Sequence, residues 1–142
     1  MLRGNHLATV DEKGRLKIPA DFLTELRKSG RQFYVTSESG ESARIYPMKV
    51  WNEIERRLSK LSSHHRAKQK FLNRTNYYGQ VVELDGQGRV LIPPVLREAA
   101  KMLGEVDVMG NLTHLLVWNH SKYQAQIKGE PITPEELDDL GV

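Results

Sequence analysis

The chain of 142 residues contains no cysteine and carries a formal net charge of +3, which excludes disulfide bonds and thiolate metal sites. Its apolar fraction of 39% and its length suit one ordinary domain, or two very small ones that share a core. No apolar run approaches the length of a membrane span, and the N-terminal residues show no apolar signal segment. We therefore expect a cytoplasmic protein without a membrane partner.

The net charge hides a difference between the two halves of the chain. Residues 1–71 contain 15 Lys and Arg against 8 Asp and Glu, a net +7, whereas residues 72–142 contain 6 against 10, a net −4, and the two sum to +3. A polyanion would therefore meet mainly the first half, or basic loops exposed on both halves.

The first predicted elements surround a turn. Alternating residues over 6–11 predict a strand, and Gly14 suits the tight turn that follows it. Residues 15–18 predict a second strand, with cationic side chains on one face and aliphatic ones on the other. Pro19 then stops this strand and suits the first turn of a helix. Two more strands and an amphipathic helix are predicted at 32–36, 43–46 and 49–61.

A basic segment joins the two halves. From Arg56 to Arg74 there are seven Lys and Arg and no acid. DNA binding is one interpretation of this segment. We favour a solvated helix face followed by a linker, because the first part lies on the polar side of the amphipathic helix. His64 and His65 lack further ligand-like neighbours, so we expect no metal site.

The second half repeats the first. Residues 85–93 (DGQGRVLIP) match residues 11–19 (DEKGRLKIP) at an offset of 85 − 11 = 74. The repeated elements are predicted as strands at 81–84, 89–92, 106–109 and 114–118, a helix after Pro93, and a helix from about Ser121 with Tyr123 and Ile127 on its apolar face. Thr133, Pro134 and Glu136 predict the start of a last short helix. We therefore predict a first unit over residues 1–61, a basic linker over 62–76, a second unit over 77–128 and a C-terminal tail over 129–142.

The repeated turn has two interpretations. In each copy an Asp precedes an Arg by four residues, with a Gly between them: Asp11, Gly14 and Arg15, then Asp85, Gly88 and Arg89. The pair could serve only to stabilise a β-turn, although exposed ion pairs contribute just about 0–1 kcal/mol. Alternatively, the Asp braces the turn while the Arg and neighbouring cations face a phosphate backbone.

The two turns differ in charge. Lys13 and Lys17 flank Arg15, whereas Gln and Leu stand at the equivalent positions beside Arg89. We therefore expect the first turn to be the main phosphate clamp and the second to be a weaker, more base-directed partner.

Other side chains give little support for catalysis. There is no Ser/His/Asp arrangement, and each repeated Asp has an Arg four residues away that favours its ionised form. We expect neither enzymatic activity nor a cofactor. Trp51 and Trp118 lie on apolar faces, so we expect them to pack in the core or between subunits rather than to stack on bases.

Together these motifs resemble a known family. Asp-x-x-Gly-Arg-aliphatic-x-Ile-Pro followed by a helix resembles the AbrB-type swapped-hairpin β-barrel. Two copies, joined by a helix that opens with Tyr46-Pro47-x-x-x-Trp51, closely resemble the MraZ family of bacterial transcriptional regulators over roughly residues 1–128. The resemblance implies an α+β, mainly β fold. Two tandem AbrB-like swapped-hairpin half-barrels would form one pseudo-dimeric β-barrel with flanking helices.

The resemblance also implies a function. Members of this family bind double-stranded DNA at short direct repeats in the promoter of the division and cell-wall gene cluster, as homo-oligomeric rings. A nucleoid-associated location follows from that role. Carried over by position, the DNA-facing motifs are Asp11, Arg15, Asp85 and Arg89. We add Arg3, Lys13 and Lys17 because of their charge and predicted face.

A different class of function stays open on the sequence alone. The chain could be a protein-interaction module, either an antitoxin-like barrel or a ring scaffold, without specific DNA binding. Salt dependence distinguishes the two classes, because capture of DNA by several cations weakens steeply with salt, whereas a mainly apolar interface does not.

Overall fold

The computed structural model describes residues 1–127 and 129–142, without the side chain of Ile127. The predicted apolar side chain of Ile127 and the predicted boundary at residue 128 therefore lie outside what is described. The first half contains β1 (Asn5–Val10), β2 (Arg15–Lys17), α1 (Ala20–Arg27), β3 (Gln32–Thr36), β4 (Ala43–Pro47) and α2 (Met48–Ser59). A connecting helix, α3 (Arg66–Tyr77), follows.

The second half repeats the order of the first. It contains β5 (Gln80–Glu83), β6 (Arg89–Leu91), α4 (Pro94–Ala99), β7 (Gly104–Asn111), β8 (His114–Asn119), α5 (His120–Ile127) and a last helix, α6 (Pro134–Leu140). The predicted start of α6 is confirmed, because the Thr133 hydroxyl accepts the backbone N–H of Glu136 at 3.2 Å. Within residues 1–127 and 129–142, no helix combines the length and the apolar character that a membrane span needs.

Eight antiparallel strands form a nearly closed barrel in the order β5-β3-β4-β8-β7-β1-β2-β6. The two copies exchange strands, since β1 pairs with β7 and β3 pairs with β5. The second strands of the copies pair with each other, and so do the fourth strands. The backbone N–H of Asp85 donates to the carbonyl of Arg89 at 2.9 Å and so joins the ends of β5 and β6. The predicted swapped-hairpin barrel is confirmed.

One hydrophobic core, built by both copies, fills the barrel. Its branched aliphatic side chains that are at most 2% exposed are Val10, Leu16, Ile18, Leu26, Val35, Ile45, Val90, Ile92, Leu96, Val106, Val108, Leu115 and Val117. The predicted alternation along the second strand is confirmed, because Leu16 and Ile18 are buried whereas Lys17 is exposed. Each copy therefore completes both the sheet and the core of the other.

The connecting segment contains a helix that its sequence pattern does not predict. Phe71 of α3 stacks on Trp51 with ring centroids 6.0 Å apart. The carbonyl of Thr75 accepts the Tyr34 hydroxyl at 3.0 Å and the Thr36 hydroxyl at 2.6 Å. α3 is thus packed on the first copy, while most of its Lys and Arg side chains remain exposed.

Aromatic side chains attach α2 to the barrel. Trp51 is 2% exposed, stacks on Tyr34 at 4.7 Å and tilts against Tyr46 at 5.0 Å. Trp118 is also buried and lies 5.8 Å from the ring of Tyr123. Core packing, one of the two roles predicted for these tryptophans, is confirmed for both.

His114 is a buried histidine held in its neutral form. Its ring stacks on Tyr46 at 4.3 Å, and Arg44 Nη1 lies 3.0 Å from its Nε2. Because a guanidinium only donates, Nε2 accepts and the ring proton is on Nδ1, 3.1 Å from the Thr113 hydroxyl. Burial, followed by the charge of Arg44, lowers the pKa of His114 to about 4. Arg44 is itself paired with Glu38 at 2.9 Å.

The depressed pKa of His114 predicts a loss of stability in mild acid. The unfolded chain binds a proton below about pH 6.5, whereas the folded protein does not until about pH 4. The free energy of unfolding should therefore decrease as the pH falls through this window, by on the order of 3 kcal/mol. His114→Gln keeps an acceptor for Arg44 but does not titrate. In urea unfolding, the wild-type protein should lose stability relative to this variant as the pH falls; a constant difference would contradict the assignment.

Strand exchange predicts that neither copy folds as a monomer. In a chain cut to residues 1–61, β1 lacks β7 and β3 lacks β5, so buried backbone groups and core side chains lose their partners. At concentrations too low for association, circular dichroism and urea titration should detect no cooperative folding of this fragment. The full chain measured at the same concentration is the control, and a cooperatively folded monomeric fragment would disprove the prediction.

Candidate nucleic-acid interface

The turn between β1 and β2, which we call turn one (residues 11–14), is organised by the Asp11 carboxylate. Its Oδ1 accepts the backbone N–H groups of Lys13 and Arg15, each at 2.9 Å. Its Oδ2 accepts the side-chain Nε–H of Arg15 at 2.9 Å. The backbone N–H of Gly14 closes the turn on the Asp11 carbonyl at 2.9 Å. One carboxylate thus fixes both the turn and the direction in which the arginine leaves it.

The turn between β5 and β6, turn two (residues 85–88), repeats this arrangement. Asp85 Oδ1 accepts the backbone N–H of Gln87 at 2.9 Å and that of Arg89 at 2.8 Å. Asp85 Oδ2 accepts Nε–H of Arg89 at 2.8 Å. The near-identical bonding means that the two motifs have the same local structure, whatever their neighbours.

Both turn carboxylates are stabilised in their ionised form. The backbone hydrogen bond from Arg15 has the largest effect on Asp11 and lowers its pKa below the ordinary 3.8 against an opposing effect of desolvation. The backbone hydrogen bond from Arg89 lowers the pKa of Asp85 in the same way. A carboxylate that is ionised at neutral pH and already accepts three hydrogen bonds is a structural brace and a poor general acid.

The segments that follow the turns pair with each other as a two-stranded ribbon. In this β2–β6 ribbon Arg15 lies opposite Leu91, and Lys17 lies opposite Arg89. Leu16 and its partner on β6 point into the core. Because paired residues share a face, the outer face carries three cations and one leucine. Arg89 lies on the neighbouring strand, two residues along from the position opposite Arg15. This spacing places the Cα atoms of the two arginines roughly 8 Å apart.

The register changes the predicted neighbours of the two arginines. Lys17 follows Arg15 by two residues in sequence, yet it lies directly opposite Arg89. Lys17 therefore neighbours Arg15 along its own strand, as predicted, and also neighbours Arg89 across the ribbon, which removes one reason for expecting a weaker second turn. Lys13 remains an exposed cation of turn one.

Strand exchange also brings to turn one a cation that the sequence motif does not predict. Gly14 has φ +83°, and a Cβ there would overlap the guanidinium of Arg97, which belongs to α4 of the second copy. The equivalent residue over Gly88 is Leu23 of α1, with its Cδ2 2.9 Å from a Cβ added at Gly88. Arg97 lies 82 residues after Arg15 in the chain, so no local pattern connects them.

Arg3 does not join this group. It precedes β1, whereas turn one follows β1. At about 3.3 Å per residue, roughly 20–25 Å separates Arg3 from turn one. The backbone of Arg3 instead lies against Gly110 of β7, where a Cβ would overlap it.

The remaining predicted site residues are brought together. Five of them lie in turn one or on the first strand of the ribbon, and three in turn two or on its second strand: Asp11, Lys13, Gly14, Arg15 and Lys17, then Asp85, Gly88 and Arg89. Among the residues that the structure describes, no group of three or more His, Asp or Glu is arranged to hold a metal ion. The arrangement can therefore present fixed positive charge and hydrogen-bond donors to an anionic partner.

The fold and this ribbon define a tandem swapped-hairpin barrel of the AbrB-like type. The family model described as "MraZ protein, putative antitoxin-like" matches residues 1–74 and 79–135. A protein of Koribacter versatilis named Transcriptional regulator MraZ is 51% identical over 147 residues, covering 100% of both chains. The protein of the same name from Acidobacterium capsulatum is 47% identical over 96% of this chain and 94% of its own. The protein of that name from Escherichia coli O9:H4 is 31% identical over 96% of this chain and 91% of its own. The chain belongs to the MraZ family, as the motifs predict.

The packing of Arg97 on turn one gives a prediction about Gly14. Gly14→Ala should destabilise the protein, because alanine at a positive φ costs about 1–2 kcal/mol and its Cβ would displace the Arg97 guanidinium. Gly86→Ala in turn two is the matched control, since Gly86 has no positive φ and nothing lies within 4 Å of an added Cβ. Thermal unfolding should show a Tm lower by about 5 °C for the first variant and little change for the second. Equal Tm shifts in the two variants would contradict the described backbone conformation and Arg97 contact at Gly14.

Proposed function

We propose that the chain is a transcription regulator that binds double-stranded DNA in a sequence-specific manner through the outer face of the β2–β6 ribbon. The observation that carries this proposal is the cross-strand arrangement of Arg15, Lys17 and Arg89 on one outer face, where Lys17 is exposed and the two arginines are partly exposed. The major groove of B-DNA, about 12 Å wide, admits a two-stranded β-ribbon, and several DNA-binding folds use strands in this way. The names of the relatives, all called transcriptional regulators, support the same conclusion.

The proposed mechanism has two stages. Lys13, Lys17 and Arg97 contribute positive charge that draws the ribbon to the phosphate backbone without regard to sequence. Arg15 and Arg89 then read base edges. Each has its Nε–H occupied by an Asp, so the terminal nitrogens of the guanidinium are the donors left for a bidentate contact with guanine O6 and N7. The Asp–Arg bonds reduce the conformational entropy that each arginine loses on binding.

We further propose that the protein acts as a homo-oligomer, in a ring, on direct repeats of a promoter of the division and cell-wall gene cluster. Large apolar side chains that remain exposed on the single chain support self-association: Leu7 at 57%, Tyr77 at 67%, Leu103 at 62% and Leu112 at 61%. Copies of the ribbon held at fixed spacing would bind repeated sites with high effective concentration. In this role the protein works at the nucleoid and needs no cofactor.

The direct test is the loss of a ribbon arginine. Arg15→Ala and Arg89→Ala should each weaken binding at least about ten-fold to a duplex selected from a random-sequence pool by the wild-type protein, because each removes a base contact. Lys49→Ala is the charge-matched control, since Lys49 is an exposed cation on α2, which packs on β3 and β4. Gel-shift titration measures the affinities, and thermal unfolding shows that the variants are folded. Unchanged affinity in both arginine variants would exclude the ribbon as the DNA-binding face.

Salt dependence separates this function from a protein-interaction module. For DNA binding, the logarithm of the affinity should fall steeply with the logarithm of the salt concentration. Lys17→Ala should make that slope shallower by about one, the loss of one phosphate contact, whereas Lys49→Ala should not change it. A wild-type affinity that hardly responds to salt would favour an apolar partner interface instead.

A further inference from the structure

A pocket beside turn two contains two arginines that the ribbon does not include. Its volume is about 380 Å³, and it is lined by Arg27, Arg31, Leu84, Asp85 and Gly86. Arg27 belongs to the last turn of α1, and Arg31 precedes β3. Both come from the first copy, whereas the other three residues come from the second. The pocket therefore exists only because the copies exchange strands.

The hydrogen bonds at this junction hold Arg31 beside turn two. The backbone N–H of Leu84 donates to the Arg31 carbonyl at 2.8 Å, and Arg31 Nη2 donates to the Leu84 carbonyl at 3.3 Å. Both arginines are exposed and retain donors that can face a ligand. Of the described residues that line the pocket, Asp85 is the one acid. Its two oxygens already accept three hydrogen bonds, two of them from Arg89.

Among the residues that the structure describes, turn one has no equivalent of this pair of arginines. Val10, the counterpart of Leu84, pairs with Gly104 of β7, so glycine stands where Arg31 stands in the first copy. Lys101 is the residue 74 positions after Arg27. The two arginines therefore lie beside turn two, whose own sequence has Gln87 where turn one has Lys13.

We infer that this pocket binds a phosphodiester group of the DNA backbone next to the base edges that Arg89 contacts. The inference rests on the DNA-binding function proposed above. Two arginines that converge on a pocket of this size suit a phosphate with its attached sugar, because guanidinium groups bind phosphate oxygens through charge-assisted hydrogen bonds. Asp85 lines the pocket and also binds Arg89 Nε, so the pocket and the ribbon form one continuous surface.

The test combines a charge-neutral double variant with a charge-neutral DNA backbone. Arg27→Gln with Arg31→Gln keeps most of each side chain and an N–H donor but removes the charge; Lys101→Gln is the matched control in the second copy. The probe is the duplex selected by the wild-type protein, with single methylphosphonate linkages placed at successive positions. We expect the double variant to bind the unmodified duplex at least about ten-fold more weakly than the wild-type protein does. Its salt slope should be shallower by about one to two.

The positional readout decides the assignment. In the wild-type protein, neutral linkages at one or two positions should weaken binding, and these positions should lose their effect in the double variant but not in Lys101→Gln. If the double variant keeps the wild-type affinity and positional pattern, the inference is overturned while the proposed function stands. If inorganic phosphate shifts the Gly86 amide resonance and DNA binding is unaffected by the double variant, the pocket takes a free anion and the inference is again overturned. A wild-type protein that binds no duplex would overturn the proposed function as well.

Discussion

Strand exchange between the two copies is the constraint on which the rest of this structure depends. β1 finds its partner in β7, and β3 in β5, so each copy completes the sheet of the other. The exchange brings the second strands together as the β2–β6 ribbon at one side of the barrel. It also packs α4 of the second copy over turn one and α1 of the first copy over turn two. Both the core and the candidate site are therefore shared by the two halves.

Because of this exchange, charges that are distant in sequence become neighbours. Lys17 is opposite Arg89, Arg97 covers Gly14, and Arg27 and Arg31 line a pocket beside turn two. In the sequence, most of the cations near the two motifs belong to turn one. In the folded protein the cations are distributed more evenly between the two turns, since each turn receives arginine from the other copy. The Asp–Arg bonds are the exception, because a carboxylate four residues before its arginine needs no partner from elsewhere.

The parts of the molecule that local chemistry determines could be predicted from the sequence. The duplicated motif predicts the two turns, the alternation of β2, and, through family resemblance, the swapped barrel. α3 could not be predicted from its apolar pattern, because Phe71 and Thr75 gain their contacts from Trp51, Tyr34 and Thr36 of distant elements. The position of Arg97 over turn one could not be predicted from the sequence for the same reason. The charge and predicted face of Arg3 suggest a place in the site, but the length of β1 separates this residue from turn one.

The pseudo-symmetry of the barrel bears on how it would bind DNA. A two-fold symmetric ribbon would make the same contacts in both directions along a duplex and would suit a palindromic site. Here the equivalent positions differ: Lys13 with Gln87, Lys17 with Leu91, and Leu23 with Arg97. Under the proposed function, these differences give the two orientations unequal affinity, because the cations meet different phosphates in each. A chain with a preferred direction is matched to sites repeated in one direction, and an oligomer of such chains would bind direct repeats more readily than inverted ones.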